Sequence, residues 1–153
     1  MTWSFREMAA AHEALEESFF AHQAAVLDRD YDRALEALIA HRGELMQHMQ
    51  LEENEFLPIY EREPPPPHGK VEFFVHEHRK LLEFLDEARA LLADAARQQD
   101  DRTAEAHALL LLLDKETQLK NFSEHHELRE ERWLFPALDR LATNEERERL
   151  KSS

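Results

Sequence analysis

Histidine and glutamate recur at the same spacing in two stretches of the chain. The stretches are HMQLEENEFLP, residues 48–58, and HELREERWLFP, residues 126–136. In each, a histidine precedes a proline by ten residues, a glutamate follows that histidine by four, and a second glutamate comes next. Residues four apart on an α-helix are about 6 Å apart along the axis and ~40° around it, so each histidine and its glutamate face one neighbour. Imidazole and carboxylate together suit iron, manganese or zinc.

Two other histidines, His12 and His78, match these motifs in depth. Both stand on apolar stripes of predicted helices. His12 lies eight residues after Ser4, roughly 12 Å into its helix, and an antiparallel neighbour would bring it level with the first motif. His78 lies nine residues after Gly69 and matches the second motif in the same way. The sequence therefore predicts that four helices direct polar side chains to a common level.

A polar cluster of this kind is unfavourable inside apolar helices unless a cation neutralises it, because unpaired buried carboxylates are strongly penalised. The predicted metal ligands are six side chains from the two motifs and the two matching histidines: His12, His48, Glu52, His78, His126 and Glu130. The alternative interpretation is a buried hydrogen-bond network of histidine and glutamate in a metal-free bundle.

Periodicity and capping residues predict the elements that position these side chains. The helices are expected at about 5–27, with a capping box from Ser4 to Glu7, then at 31–58, 70–97 and 103–134. The second and fourth are expected to end near Pro58 and Pro136. Thr143 and Glu146 predict a short capped helix at the end. The chain therefore divides into a helical hairpin at 4–60, a proline-rich loop at 61–69, a second hairpin at 70–140 and a C-terminal helix at 143–151.

This order of elements predicts an all-α fold, an up-down-up-down antiparallel four-helix bundle with a short C-terminal helix, in one domain covering 1–153. Composition agrees, since 153 residues include only two glycines. The net charge of -14 disfavours binding to nucleic acid or to anionic membrane surfaces. No cysteine is present, which excludes thiolate chemistry and cysteine-held iron-sulfur clusters. The charged N-terminal stretch lacks the apolar core of a signal peptide, so a cytoplasmic protein is expected.

The sequence resembles the hemerythrin-like HHE cation-binding family from about His12 to Leu138. The resemblance rests on His12, the two repeated motifs and the EH dipeptide that ends at His78. It implies a four-helix bundle around a non-haem di-iron centre in which Glu52 and Glu130 bridge the metals. With two histidines per metal, two bridging carboxylates and an oxo or hydroxo bridge, each iron would keep one open position for O2, NO, peroxide or water. Zinc or manganese are the expected substitutes for iron.

The chain departs from the pattern of the invertebrate oxygen-carrying hemerythrins, which place two histidines four apart on the third helix. Here Leu82 follows His78 at that interval and Phe74 precedes it. The difference argues against reversible oxygen carriage and favours sensing, iron handling or iron-centre repair. Three further residues near the motifs are candidates for completing the site: His41, Glu44 and Glu131.

Other histidines compete with the predicted ligands, and helical geometry chooses between them. His76 lies about 200° around the helix from His78, and His125 about 100° from His126, so only one of each pair can face the site. The repeat favours His126 and the apolar stripe favours His78. The remaining histidines, His22, His68 and His107, and the second glutamate of the first motif, Glu53, are expected at the surface.

Three classes of function fit these features. The leading prediction is a di-iron protein that binds or senses O2, NO or peroxide, or handles iron, with signalling through a partner protein. A di-iron enzyme or an iron-centre repair factor is the second. The motif order is His-x-x-x-Glu rather than the Glu-x-x-His of carboxylate-rich di-iron enzymes, which argues against an oxidase. A metal-free structural or protein-binding bundle is the third.

Overall fold

The computed structural model describes residues 3–153, which form an all-α helical bundle without β-strands in that range. Two 3-10 turns, Phe5–Met8 and Pro67–Gly69, precede the first and fourth α-helices. The α-helices are α1 (Ala9–Leu27), α2 (Tyr31–Leu51), α3 (Leu57–Tyr60), α4 (Val71–Arg97), α5 (Arg102–Arg129), α6 (Phe135–Leu141) and α7 (Asn144–Leu150). None of the described helices is both long enough and apolar enough to cross a membrane.

Helices α1 and α2 pack against each other in opposite directions. Ser18 Oγ lies 2.6 Å from His41 Nδ1, whereas His22, one turn further along α1, lies 2.7 Å from the carbonyl of Ala34, earlier in α2. Helices α4 and α5 are antiparallel in the same sense, since ion pairs join their residues in reverse order: Glu77 with His126, and Glu87 with Lys115. Each half of the chain therefore contributes one antiparallel helix pair.

Two separate apolar clusters form the interior. One contains Leu15, Leu45, Leu81 and Leu119, and the other contains Phe5, Phe56, Phe74, Leu134 and Phe135. On every long helix a predicted ligand histidine lies between residues of the two clusters; on α4, for example, Phe74 precedes His78 and Leu81 follows it. A polar layer thus separates the two cores.

The helical segments end near the two prolines but not at them: the first ends at Tyr60, two residues after Pro58, and the second at Leu141, five residues after Pro136. A π-helical turn precedes each proline, Glu52–Phe56 in the first motif and Glu130–Leu134 in the second, and α3 and α6 continue beyond them. In the first motif the N–H of Leu57 bonds the carbonyl of Glu52, five residues earlier. This wider turn replaces the usual i to i-4 bonding, in which proline lacks a donor and its ring clashes with a carbonyl.

One of the two predicted capping boxes forms, and a simpler side-chain cap replaces the other. Thr143 and Glu146 form the expected capping box on α7. The capping box predicted from Ser4 to Glu7 is not formed. The Ser4 side chain instead caps a 3-10 turn by accepting from the Arg6 N–H, and its hydroxyl donates to Asp139 at 2.6 Å. The start of the first helix is therefore fixed to α6 as well as to its own first turn.

Candidate metal centre

The structure brings the six predicted ligand residues together in the polar layer. His12 extends from α1, His48 from α2, His78 from α4 and His126 from α5, while Glu52 and Glu130 begin the two π-helical turns. Each side chain is 9% exposed or less. Four helices and two π turns therefore supply one buried cluster of imidazole and carboxylate groups.

The four histidines form two pairs, one from each antiparallel helix pair. The rings of His12 and His48 lie 5.4 Å apart between centroids, and those of His78 and His126 lie 4.9 Å apart. Their ligand atoms fall into two groups whose members lie within 4.8 Å of one another: Glu52, His78, His126 and Glu130 in one, and His12, His48 and Glu130 in the other. The cluster thus has two halves that share a carboxylate.

The two glutamates lie between the histidine pairs. Glu130 Oε1 is 2.5 Å from Nε2 of His126, and its Oε2 is 3.6 Å from Nε2 of His12. Glu52 Oε1 is 2.8 Å from Nε2 of His48 and 3.7 Å from Nε2 of His78. Each carboxylate therefore contacts a histidine from both helix pairs.

Most of the polar atoms in the cluster are buried without a hydrogen-bond partner among residues 3–153. They are Nδ1 and Nε2 of His12, Nε2 of His48 and His78, and both carboxylate oxygens of Glu52 and Glu130. Although His48 Nε2 lies 2.8 Å from Glu52 Oε1, the two are not aligned as donor and acceptor. Buried polar atoms are normally paired, so eight orphaned atoms at one place form a cluster that could hold a cation.

Other buried glutamates show that this is not a general feature of the interior. Glu105 accepts from Tyr31 at 2.5 Å and from Arg29 at 2.6 Å. Glu116 lies 2.7 Å from Nε2 of His22. Both have zero side-chain exposure, as does Glu130. Burial of a carboxylate is therefore compensated elsewhere in this fold, and the lack of partners is specific to the polar layer.

Charge is distributed unevenly in the cluster. Burial, together with the nearby Glu130, raises the pKa of Glu52 to about 8. Burial opposes ionisation of Glu130 too, but the charge of His126 and bonding from its neighbours hold the pKa of Glu130 well below its usual range. For His12 burial is likewise outweighed, and the Glu130 carboxylate raises the pKa to about 9. Protons thus supply positive charge between the carboxylates, and metal binding would release them.

Two further carboxylates bond the outer nitrogens of cluster histidines, and a third lies near one. Glu53 lies 2.8 Å from Nδ1 of His78, and Glu77 lies 3.0 Å from Nδ1 of His126. Glu131 lies 3.6 Å from Nδ1 of His12. Such partners fix the ring orientation and leave Nε2 for a metal. Glu53 is exposed, as predicted, but its bond to His78 was not predicted; the repeat that pairs it with Glu131 was the available signal.

The three additional candidates have different positions. Glu131 reaches the edge of the cluster through His12, with 44% of its side chain exposed. Glu44 is exposed. His41 is buried, but its Nδ1 bonds Ser18 and it belongs to neither group of ligand atoms. His41 and Glu44 are therefore outside the cluster that the structure forms.

Two of the histidines expected to face away from the site are exposed, as predicted, whereas a third is buried. His76 and His125 are exposed, while their neighbours His78 and His126 face the cluster. His22, expected at the surface, is completely buried. It bonds Glu116, 94 residues away in sequence, so nothing in its own helix indicated the pairing.

The buried histidine and glutamate cluster can hold a metal ion. Comparison with models of known protein families, with curated proteins and with solved structures gave no match. The choice of metal and of function therefore rests on the residues of the site.

Proposed function

We propose that the chain is a hemerythrin-like protein, an up-down-up-down four-helix bundle with a non-haem di-iron centre that binds or senses O2, NO or peroxide, or handles iron. The observation that carries the proposal is the convergence of eight unpartnered buried polar atoms from five of the six predicted ligand residues. Four imidazoles in two pairs with two carboxylates between them make a donor set for two cations.

The donor types favour a first-row transition metal over calcium or magnesium. Imidazole is a good ligand for iron and zinc, whereas calcium and magnesium take oxygen ligands. Two carboxylates near the pairs offset much of the charge of two divalent ions. Iron is proposed together with the binding of O2 or NO, since both belong to the hemerythrin-like interpretation, and zinc or manganese could occupy the same ligands.

Bound iron would supply exchangeable coordination positions and electrons to a small ligand. The chain's own residues prepare that site. His12 stacks on Phe135 at 5.8 Å between ring centroids, and Phe74 meets the His126 ring edge-on at 6.5 Å. These side chains belong to, or border, an apolar cluster that restricts water. Glu77 accepts from Nδ1 of His126, so that Nε2 is unprotonated when the ring is neutral.

The alternatives predict different chemistry at the same residues. An enzyme or an iron-centre repair factor would need turnover or iron transfer, and a signalling role would need a partner protein. A metal-free bundle is favoured by the short approaches between histidine Nε2 atoms and carboxylates, 2.5 Å for His126 and 2.8 Å for His48. The unpartnered atoms count against it.

Metal analysis of protein purified and reconstituted with ferrous iron without oxygen tests the proposal. We expect two irons per chain, a ferric absorption spectrum after exposure to air and a spectral change when nitric oxide is added to the reduced protein. His78→Ala should lose iron, while His76→Ala, a matched exposed histidine on the same helix, should keep it. Less than one metal per chain in the unsubstituted protein, or equal iron loss in both variants, would contradict the assignment.

A further inference from the structure

A cavity lies next to the polar layer, on the side of Leu15 and Leu45, and is separate from the histidine and glutamate cluster. It has a volume of about 570 Å³ and opens between α1, α2 and α5. Leu15 follows His12 by three residues and Leu45 precedes His48 by three, so the cavity begins about one helical turn from the candidate metal centre. Its size falls within the range of pockets that bind small organic molecules.

The buried part of the cavity is apolar and partly aromatic. Its buried apolar lining consists of Leu15, Phe19, Leu45 and Leu119. Phe20 lines the cavity too and is 71% exposed, which places a second aromatic ring toward the solvent side. A flat ring would bury its faces against these side chains, and aromatic pairs add to the free energy gained from burial.

One buried polar group, His41, faces the cavity with a free nitrogen. The Ser18 hydroxyl donates to the Leu15 carbonyl at 3.0 Å, and its oxygen lies 2.6 Å from Nδ1 of His41, where it can accept from Nδ1–H. In the neutral ring Nε2 is then unprotonated. Within residues 3–153 Nε2 has no hydrogen-bond partner, although His41 is only 5% exposed and lines the cavity.

The surrounding charges select against anions. Burial and the nearby His22 lower the pKa of His41 to about 4, so its ring is neutral at pH 7. The cavity is also lined by three glutamates and one lysine, namely Glu16, Glu124, Glu127 and Lys120. A neutral acceptor surrounded by excess negative charge favours an uncharged ligand that donates a hydrogen bond.

We infer that this cavity binds a small uncharged phenol, with its ring among Leu15, Phe19 and Leu119 and its hydroxyl donating to Nε2 of His41. A phenol combines the flat apolar body with an acidic hydroxyl that stays protonated at neutral pH. The inference goes beyond the proposed function and does not depend on metal binding, because none of the six residues in the metal cluster lines the cavity.

The test compares two probes, 4-ethylphenol and its methyl ether, in which a methyl group replaces the hydroxyl hydrogen and removes the donor. Binding to the full chain is measured by calorimetry, with chelator and with added iron, and NMR shifts locate the probes. We expect saturable binding of 4-ethylphenol near Phe19 and Leu119 in both conditions, with the ether weaker on the order of tenfold. Equal affinity for both probes, no saturable binding, or binding of the phenol only when iron is present would overturn the inference.

Variants of His41 give an independent readout. His41→Phe keeps a ring but removes the acceptor, so the preference for the phenol over the ether should disappear. His41→Gln keeps an acceptor and should retain part of that preference. His107→Phe, an exposed histidine changed in the same way, should behave as the unsubstituted protein. If His41→Phe kept the preference for 4-ethylphenol over its methyl ether, the proposed role of Nε2 would be contradicted. The comparison of the two probes in the unsubstituted chain does not require any variant to fold.

Discussion

Replacing Glu52 by glutamine should have opposite effects on the metal-free and the metal-loaded protein. In the metal-free chain burial and Glu130 raise the pKa of Glu52 from 4.5 to about 8. Between these pH values the folded state holds a proton that the unfolded state has lost, so folding stability is complete below pH 4.5 and falls as the pH rises. At about 1.4 kcal/mol per pH unit, the loss amounts to as much as about 5 kcal/mol at pH 8.

Glutamine cannot ionise, and the Glu52→Gln variant therefore escapes this loss. At pH 8.5 the metal-free variant should melt above the metal-free unsubstituted protein, by roughly 10 °C if the full difference is realised. At pH 5 the two should melt at similar temperatures. With iron present the order should reverse, because a bound cation stabilises the folded state more the more tightly it binds, as the logarithm of its affinity, and the variant has lost an anionic ligand.

Thermal unfolding followed by circular dichroism at pH 5, 7 and 8.5, with chelator and with iron, measures both effects. Glu44→Gln serves as the matched control, since Glu44 is exposed on α2 two turns before Glu52. It should change neither the pH dependence nor the shift produced by iron. If Glu52→Gln instead lowers the melting temperature equally with and without metal at pH 8.5, Glu52 is a structural hydrogen-bond acceptor and the metal assignment fails.

Three other predictions concern residues outside the cluster. His22→Ala should destabilise the fold by about 3 kcal/mol in urea unfolding because Glu116 loses its buried partner; iron content should not change, and a surface-like effect below 0.5 kcal/mol would contradict the pairing. His41 has its pKa lowered to about 4 from 6.5, so about 3 kcal/mol of stability should be lost as the pH falls from 6.5 to 4; acid titration of His41→Gln should lack that component. Gly43→Ala should raise the melting temperature through about 1 kcal/mol of helix propensity, since an added methyl meets nothing within 4 Å. Gly69→Ala should lower it, because its methyl would lie 2.5 Å from a tyrosine oxygen; equal shifts would refute the difference.

Helix positions followed from the sequence because the relevant forces are local. Apolar periodicity and turn residues placed the third helix at 70–97, and α4 spans Val71–Arg97. The site followed for a related reason. Residues four apart on one helix must share a face, so His48 with Glu52 and His126 with Glu130 could be paired without knowledge of the fold.

Interactions between distant segments could not be predicted in this way. Glu116 becomes the partner of His22 only when α1 packs on α5, and Glu77 meets His126 across 49 residues of sequence. The positions of the helix ends were only approximate for a different reason. The rule that proline ends a helix assumes α-helical bonding in the preceding turn, and the π turn before Pro58 changes that bonding.

The π turns position more of the repeated motif at the site than the spacing of histidine and glutamate alone would indicate. Each turn begins at a cluster glutamate, and the next residue, Glu53 or Glu131, contacts a histidine of the other helix pair. π-helical turns are rare, appear mostly as single turns inside α-helices and are frequent at functional sites. The layer between the two apolar clusters also contains two buried carboxylates, Glu52 and Glu130, that have no hydrogen-bond partner in the described residues. The π turns and the unpartnered carboxylates both depart from the most stable arrangement, and both occur at the polar layer in each half of the chain. Such departures are expected where binding of a ligand, rather than packing, constrains the sequence.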